Sequence, residues 1–178
     1  MNMKKLSLIF VGLLLACCHS FGQTNHFVRL KAMVGDWSGT GSGFGNNKSQ
    51  IESSCQLVMG GQYLEIKNES RFDPTERNPE GEHHIDRGFI SYDKSRDVIV
   101  YRQFNNEGYV NQYVLNDSLS NDSLLVFDTE VIENFVPGGK ARWTVKILSD
   151  NQIETSFEVS FPKKDYTCFG VNKLTKKK

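Results

Sequence analysis

The chain has 178 residues, with 21 basic and 21 acidic side chains, 38% hydrophobic and 11% aromatic content. That length suffices for one domain with a core of its own. Balanced charge, with no basic run beyond Lys176-Lys177-Lys178, excludes the electrostatic footprint of a nucleic-acid binder.

The first residues read as an export leader. Lys4 and Lys5 precede an apolar run from Leu6 to Ala16, shorter than the roughly 20 residues of a membrane-spanning helix. Ser20-Phe21-Gly22 sets small residues at a cleavage point, so residues 1–22 are expected to be a signal peptide and 23–178 a single domain. Leu14-Leu15-Ala16-Cys17 instead resembles a bacterial lipobox, which would leave Cys17 acylated. Either route exports the protein to the periplasm or beyond, an uncleaved leader being the third reading, and membrane contact is expected only through a lipid on Cys17. Loss of the leader leaves Cys55 and Cys168. An oxidising compartment permits a bridge, but two cysteines are no disulfide framework, and two buried thiols are the expectation.

In residues 25–33, Phe27, Leu30 and Met33 recur at three-residue spacing, with Thr24 as a cap and Gly35 as a stop. This predicts a short helix covering one end of the fold. Ten β-rich segments follow, punctuated by turns every 8 to 12 residues or so. The first, 35–44, opens on Gly35-Asp36-Trp37 and carries a glycine ladder at Gly39, Gly41, Gly43 and Gly45. Alternating glycines empty one face of side chains, so the sheet can bend sharply or meet another backbone closely. Strand two, 49–59, turns at Gly60-Gly61 into strand three, 62–72, where Leu64 and Ile66 oppose Glu65, Lys67, Glu69 and Arg71. Asn68 and Ser70 continue the apolar face, which predicts an inward polar patch toward that end.

Residues 73–84, with Pro74 and Pro79, read as a loop that would form a lid. Strands four to seven follow at 85–92, 98–104, 109–115 and 124–132. Their facing is ambiguous, because Val98-Ile99-Val100-Tyr101 is apolar on both sides. Pro137-Gly138-Gly139 precedes strand eight, 141–148, where Trp143, Val145 and Ile147 oppose Arg142, Thr144 and Lys146. In strand nine, Ile153, Thr155, Phe157, Val159 and Phe161 oppose Glu154, Ser156, Glu158 and Ser160, and residues 166–175 form strand ten. Connections this short pair each strand with its predecessor, and a long twisted sheet curls shut rather than leave two open edges. The expected fold is all-β, an up-and-down antiparallel barrel of about ten strands with a short N-terminal helix. A β-sandwich is the alternative.

Gly35-Asp36-Trp37 resembles the G-x-W opening of lipocalins and their calycin relatives. In those families a basic side chain near the last strand packs over the Trp, and Lys173 is the residue that the resemblance assigns here. The stretch from Trp37 to Gly45 is also similar to the start of nitrobindin-type haem barrels. Val34-Gly35-Asp36-Trp37-Ser38-Gly39, Val58-Met59-Gly60-Gly61-Gln62-Tyr63-Leu64 and Gly88-Phe89-Ile90-Ser91-Tyr92-Asp93 together resemble an uncharacterised family of bacterial secreted lipocalin-like proteins. That likeness implies the barrel and export, and no activity.

A haem site of the nitrobindin kind implies a histidine near the last strand. His19, His26, His83 and His84 all lie elsewhere, so no cofactor is expected, although Tyr166 or Cys168 offers an iron ligand in principle. Glu82, His83, His84 and Asp86 cluster at the loop end, but adjacent histidines on a strand face opposite ways, and no metal site is expected. No G-x-S-x-G, H-E-x-x-H or phosphate-loop pattern is present, and the acids of strands three and nine face outward, so no catalytic residue is assigned. The inward set is Trp37, Cys55, Leu57, Leu64, Ile66, Asn68, Tyr101, Tyr113, Trp143, Val145, Phe157 and Val159. It lines either a pocket for a small apolar ligand or a filled core. Binding of such a ligand without catalysis is the leading expectation. A haem or metal barrel, and an envelope protein with a filled barrel and a binding outer face, are the alternatives.

Overall fold

The computed structural model describes residues 26–43, 48–76 and 78–178. The leader, both cleavage points with Cys17, His19, the Thr24 cap and the 44–47 turn with Gly45 lie outside the described residues. A 3-10 helix, Val28–Met33, precedes β1 (Gly35–Ser42), β2 (Lys48–Val58), β3 (Tyr63–Phe72), β4 (Glu82–Asp93) and β5 (Val98–Asn105). The chain continues with β6 (Val110–Leu115), β7 (Leu124–Glu133), β8 (Lys140–Ser149), β9 (Gln152–Ser160) and β10 (Thr167–Lys176). Each strand pairs antiparallel with the next, and β1 pairs with β10, so the sheet is a closed ten-stranded barrel and not a sandwich.

Closure depends on the glycine ladder. Gly39 stands opposite Leu174 across the β1–β10 seam, and a Cβ there would lie 1.9 Å from the Lys173 carbonyl oxygen. Only a bare backbone permits this curvature. At the other end of β2, the turn into β3 places Gly60 and Gly61 at φ of 67° and 81°, where glycine alone is unstrained.

The N-terminal helix differs from a regular α-helix. Its apolar residues sit three apart, which is the period of a 3-10 helix, and it spans only six residues. It nonetheless buries Leu30 and Met33 against the barrel end where β1 starts, and the Met33 carbonyl accepts the Trp37 indole N–H at 2.8 Å. The apolar core gathers at this end, around Trp37, Leu64, Ile90, Leu125 and Leu174. The far end carries the 73–81, 106–109, 134–139 and 161–166 connections.

Several expectations are corrected. β4 starts at Glu82, not at residue 85, so His83 and His84 belong to a strand and the loop is shorter. Lys176, not Lys173, holds its ammonium over the Trp37 ring, 5.2 Å from the centroid; Lys176 stands opposite Trp37, whereas Lys173 stands opposite Thr40. Cys55 and Cys168 are free thiols; Cys55 is buried but Cys168 is exposed. Their strands are separated by β1. Leu57 and Phe161 reach the strand ends and are 49% and 46% exposed rather than inward.

Candidate functional site

Ten strands leave more interior than their side chains fill. A cavity of ≈ 230 Å³ opens at the end away from the 3-10 helix. Of the expected inward set, Trp37, Cys55 and Ile66 line its depth, and Tyr101, Trp143 and Phe157 its flank, with Asn68 higher up. Leu64, Tyr113 and Val159 are buried but do not line it; Leu64 and Tyr113 belong to the apolar core. Tyr101 stacks on Tyr113 at 5.6 Å and meets Trp143 at 5.1 Å, while Trp143 meets Phe127 at 5.4 Å. The ambiguous strand is thereby settled. Tyr101 joins the core, and Val100, equally buried, stands on the opposite face and is not part of it.

The inward polar patch expected from Asn68 and Ser70 is present, for both line the cavity, but the charged part of that end was missed in the sequence. β4 carries Glu82, His84 and Asp86 on its inner face, and Gln103 on β5 and Asn111 on β6 join them. The outward placing of acids expected for strands three and nine does not extend to β4, where Asp86 is inward and 7% exposed. Its Oδ2 accepts from His84 Nε2 at 3.1 Å and from Asn68 Nδ2 at 3.3 Å. His84 Nδ1 donates to Glu107 at 2.6 Å. Gln103 Oε1 accepts from the Tyr113 hydroxyl and from Asn111 Nδ2, each at 3.1 Å. His83 points the other way, 3.2 Å from Glu69, which also binds Arg87 at 2.8 Å.

Two carboxylates on one imidazole fix its charge. The Asp86 hydrogen bond, opposed by burial and helped by Glu107, raises the His84 pKa to about 9. His84 is therefore an imidazolium at neutral pH and no general base. A raised histidine pKa stabilises the fold fully below its ordinary value of 6.5, and this contribution is lost as pH rises through about 9. Histidine NMR titration is expected to find one ring with a midpoint near 9, brought down toward 6.5 by Asp86→Asn. A His84 midpoint already at the ordinary value in the unsubstituted protein would refute the ion pair.

Burial pushes the Cys55 thiol up to about 12, with Lys176 opposing weakly, so it is no thiolate. Burial first, then the Asp86 charge, holds the Tyr101 and Tyr113 phenols well above their usual range.

The nitrobindin resemblance implies haem, and the residues present do not fit it. The cavity-lining residues of β10 are Phe169, Gly170, Asn172 and Leu174, without a histidine. Cys168 is exposed, and Tyr166 lies under the Arg142 guanidinium, 4.6 Å from its centroid. The ≈ 230 Å³ cavity is below the roughly 300–1,000 Å³ typical for drug-sized ligands, and a haem macrocycle exceeds such a volume. Glu82, His84 and Glu107 bring one ligand atom each within 4.8 Å of the others. With both imidazole nitrogens bonded to carboxylates, this group is arranged as an ion-pair cluster.

No protein-family sequence profile matches the chain, and no curated protein sequence matches it. Among solved structures it is similar to the crystal structure of Rv2717c from M. tuberculosis, with 14% identity and a TM-score of 0.63 over 86% of this chain and 98% of that one. It is also similar to a redesigned beta barrel, b11L5F_LGL, with 14% identity and a TM-score of 0.40 over 83% of this chain and 94% of that one. A de novo design of a fluorescence-activating beta barrel gives 11% identity and a TM-score of 0.42 over 83% of this chain and 95% of that one. At such identities the first likeness speaks to fold alone, and the two designed barrels, below 0.5, add no argument. The chain is thus a closed, ten-stranded antiparallel β-barrel protein.

Proposed function

We propose that the barrel is a non-catalytic binding protein for a small, largely apolar ligand, exported as residues 23–178 after loss of a 1–22 leader. Alternatively it is held at a membrane by an acylated Cys17. One observation carries this reading. The interior is not filled: ≈ 230 Å³ remains between aromatic and aliphatic walls, with polar groups converging at one end. That is the make-up of a small-molecule pocket. Affinity would come from burying ligand surface, at about 25 cal/mol per Å², less the cost of ordering the ligand. The 73–81 connection, at the open end, would be the portal.

Native mass spectrometry of protein purified from its own host tests this directly. A bound small molecule is the expected result, and a barrel that is uniformly empty counts against it. Ile66→Trp supplies the second test. Ile66 is buried on the cavity wall, and an added indole would take up much of the free space. The variant is expected to bind that ligand at least about tenfold more weakly while remaining folded, since losing about 1.4 kcal/mol of contacts suffices. Undiminished affinity would place the ligand elsewhere.

A second reading has an observation of its own. Tyr109, Phe135 and Phe161 run across three connections at the open end, with ring centroids 5.9 and 5.6 Å apart. Such a row, with Tyr109 and Phe161 exposed and Phe135 half-buried between them, suits an envelope protein whose outer surface meets a partner. A protein partner retained in place of a small molecule in the same spectra would favour it.

A further inference from the structure

The cavity holds two polar atoms that no described residue pairs. The Asp86 side chain is only 10% exposed, and both of its hydrogen bonds fall on Oδ2. Its Oδ1 accepts no hydrogen bond from any described residue. Tyr101 is 1% exposed, and its hydroxyl has no hydrogen-bond partner among the described residues. No fully enclosed side-chain oxygen is left without a partner among them. Both atoms therefore open on the space these residues line. They also lie close together. The Tyr101 ring rests on Gly88, where a Cβ would be 2.8 Å from Cε2, and Gly88 is the inward neighbour of Asp86 on β4. A buried carboxylate oxygen without a donor costs free energy that a ligand donor or water must offset.

Among the described residues, the charges around this pair have one sign in excess: Glu82, Asp86 and Glu107 surround the His84 cation. Arg71 and Arg87 are engaged by Glu69, which stands on the outward face of β3. Lys176 lies at the closed end over Trp37. The flank beside Asp86 consists of the Tyr101 and Trp143 rings, whose faces attract cations when water is excluded. An anionic headgroup would meet three carboxylates here, and a neutral one would leave the charge excess unanswered.

The geometry points to a small organic cation as the ligand: a primary or secondary ammonium on an apolar body of about one ring, its N–H groups on Asp86 Oδ1 and the Tyr101 hydroxyl, its body against Trp143, Ile66 and Phe157. This inference rests on the binding reading above and adds the chemical class. The ≈ 230 Å³ available suits such a body and not a long acyl chain.

Calorimetric titration of the full chain with three probes of one shape tests it: 2-phenylethylamine, 2-phenylethanol and phenylacetate. The amine is expected to bind at least about tenfold tighter than the alcohol, with the carboxylate weakest. Asp86→Asn is expected to remove about tenfold or more of amine affinity while shifting the alcohol by about twofold or less. Tyr101→Phe, which keeps the ring stack, should cost the amine a few-fold and serves if Asp86→Asn does not fold. An alcohol or carboxylate that binds as tightly as the amine overturns the cation class and leaves the pocket standing. So does a co-purifying molecule without a basic nitrogen. If none of the three probes binds and native spectra show an empty barrel, the binding reading itself has failed.

Discussion

Gly39→Ala is expected to lower the thermal midpoint by about 10 °C. The added Cβ would sit 1.9 Å from the Lys173 carbonyl oxygen and 2.9 Å from its carbon. Both are backbone atoms of β10, so no side chain can swing aside. Relief has to come from opening the β1–β10 seam, whose loss turns a closed barrel into a sheet with two bare edges. Overpacking in a tight site costs about 1–3 kcal/mol and sometimes more, and this contact is at the severe end. At about 2–4 °C per kcal/mol for a domain of this size, roughly 3 kcal/mol gives the stated shift. Gly170→Ala is the control. Its Cβ would meet only the Ser42 carbonyl oxygen, at 3.3 Å, so a small shift is expected. Thermal denaturation by circular dichroism measures both, and equal shifts for the two variants would show that seam curvature is not what the ladder provides.

Trp37→Ala is expected to cost about 3–5 kcal/mol, the range for deleting a large buried aromatic. Trp37 is 1% exposed and lies at the junction of β1, the 3-10 helix and the core. Its removal also strips the Met33 carbonyl of the indole N–H that holds the helix to the barrel end. Trp37→Phe separates the two contributions. It keeps most of the apolar fill and loses the hydrogen bond, so about 1–2 kcal/mol is expected. Denaturant unfolding gives both values. If the two variants were equally unstable, the hydrogen bond and not the packing would be the dominant contribution, contrary to the burial argument.

Both predictions arise from residues that stand out in the primary structure. The glycine ladder and Trp37 are conspicuous because their chemistry permits few uses. The strand count, the meander order and the all-β class followed from alternation and short turns. The site was less accessible. Leu64, Ile66, Trp143 and Phe157 could be placed inward because their strands oppose apolar to polar. His84 and Asp86 could not. From Glu82 to Asp86 the single apolar residue, Ile85, falls on the outward face, so period two shows no apolar inner stripe there and the segment resembles a loop. A cavity with a polar mouth erases at that mouth the signal that marks inside from outside.

Alternation and turn chemistry determined, from the residue order alone, that this chain forms many short antiparallel strands and bends its first one sharply, since these depend on neighbours in sequence. Only the tertiary structure decided which register closes the seam, which is why Lys176 and not Lys173 covers Trp37. It alone brought Asp86 on β4 beside Tyr101 on β5 and Asn68 on β3 around one open space. The physical reason is that a ring of ten strands couples every strand's register to all the others, and pairings and voids set by closure leave no trace in any single segment.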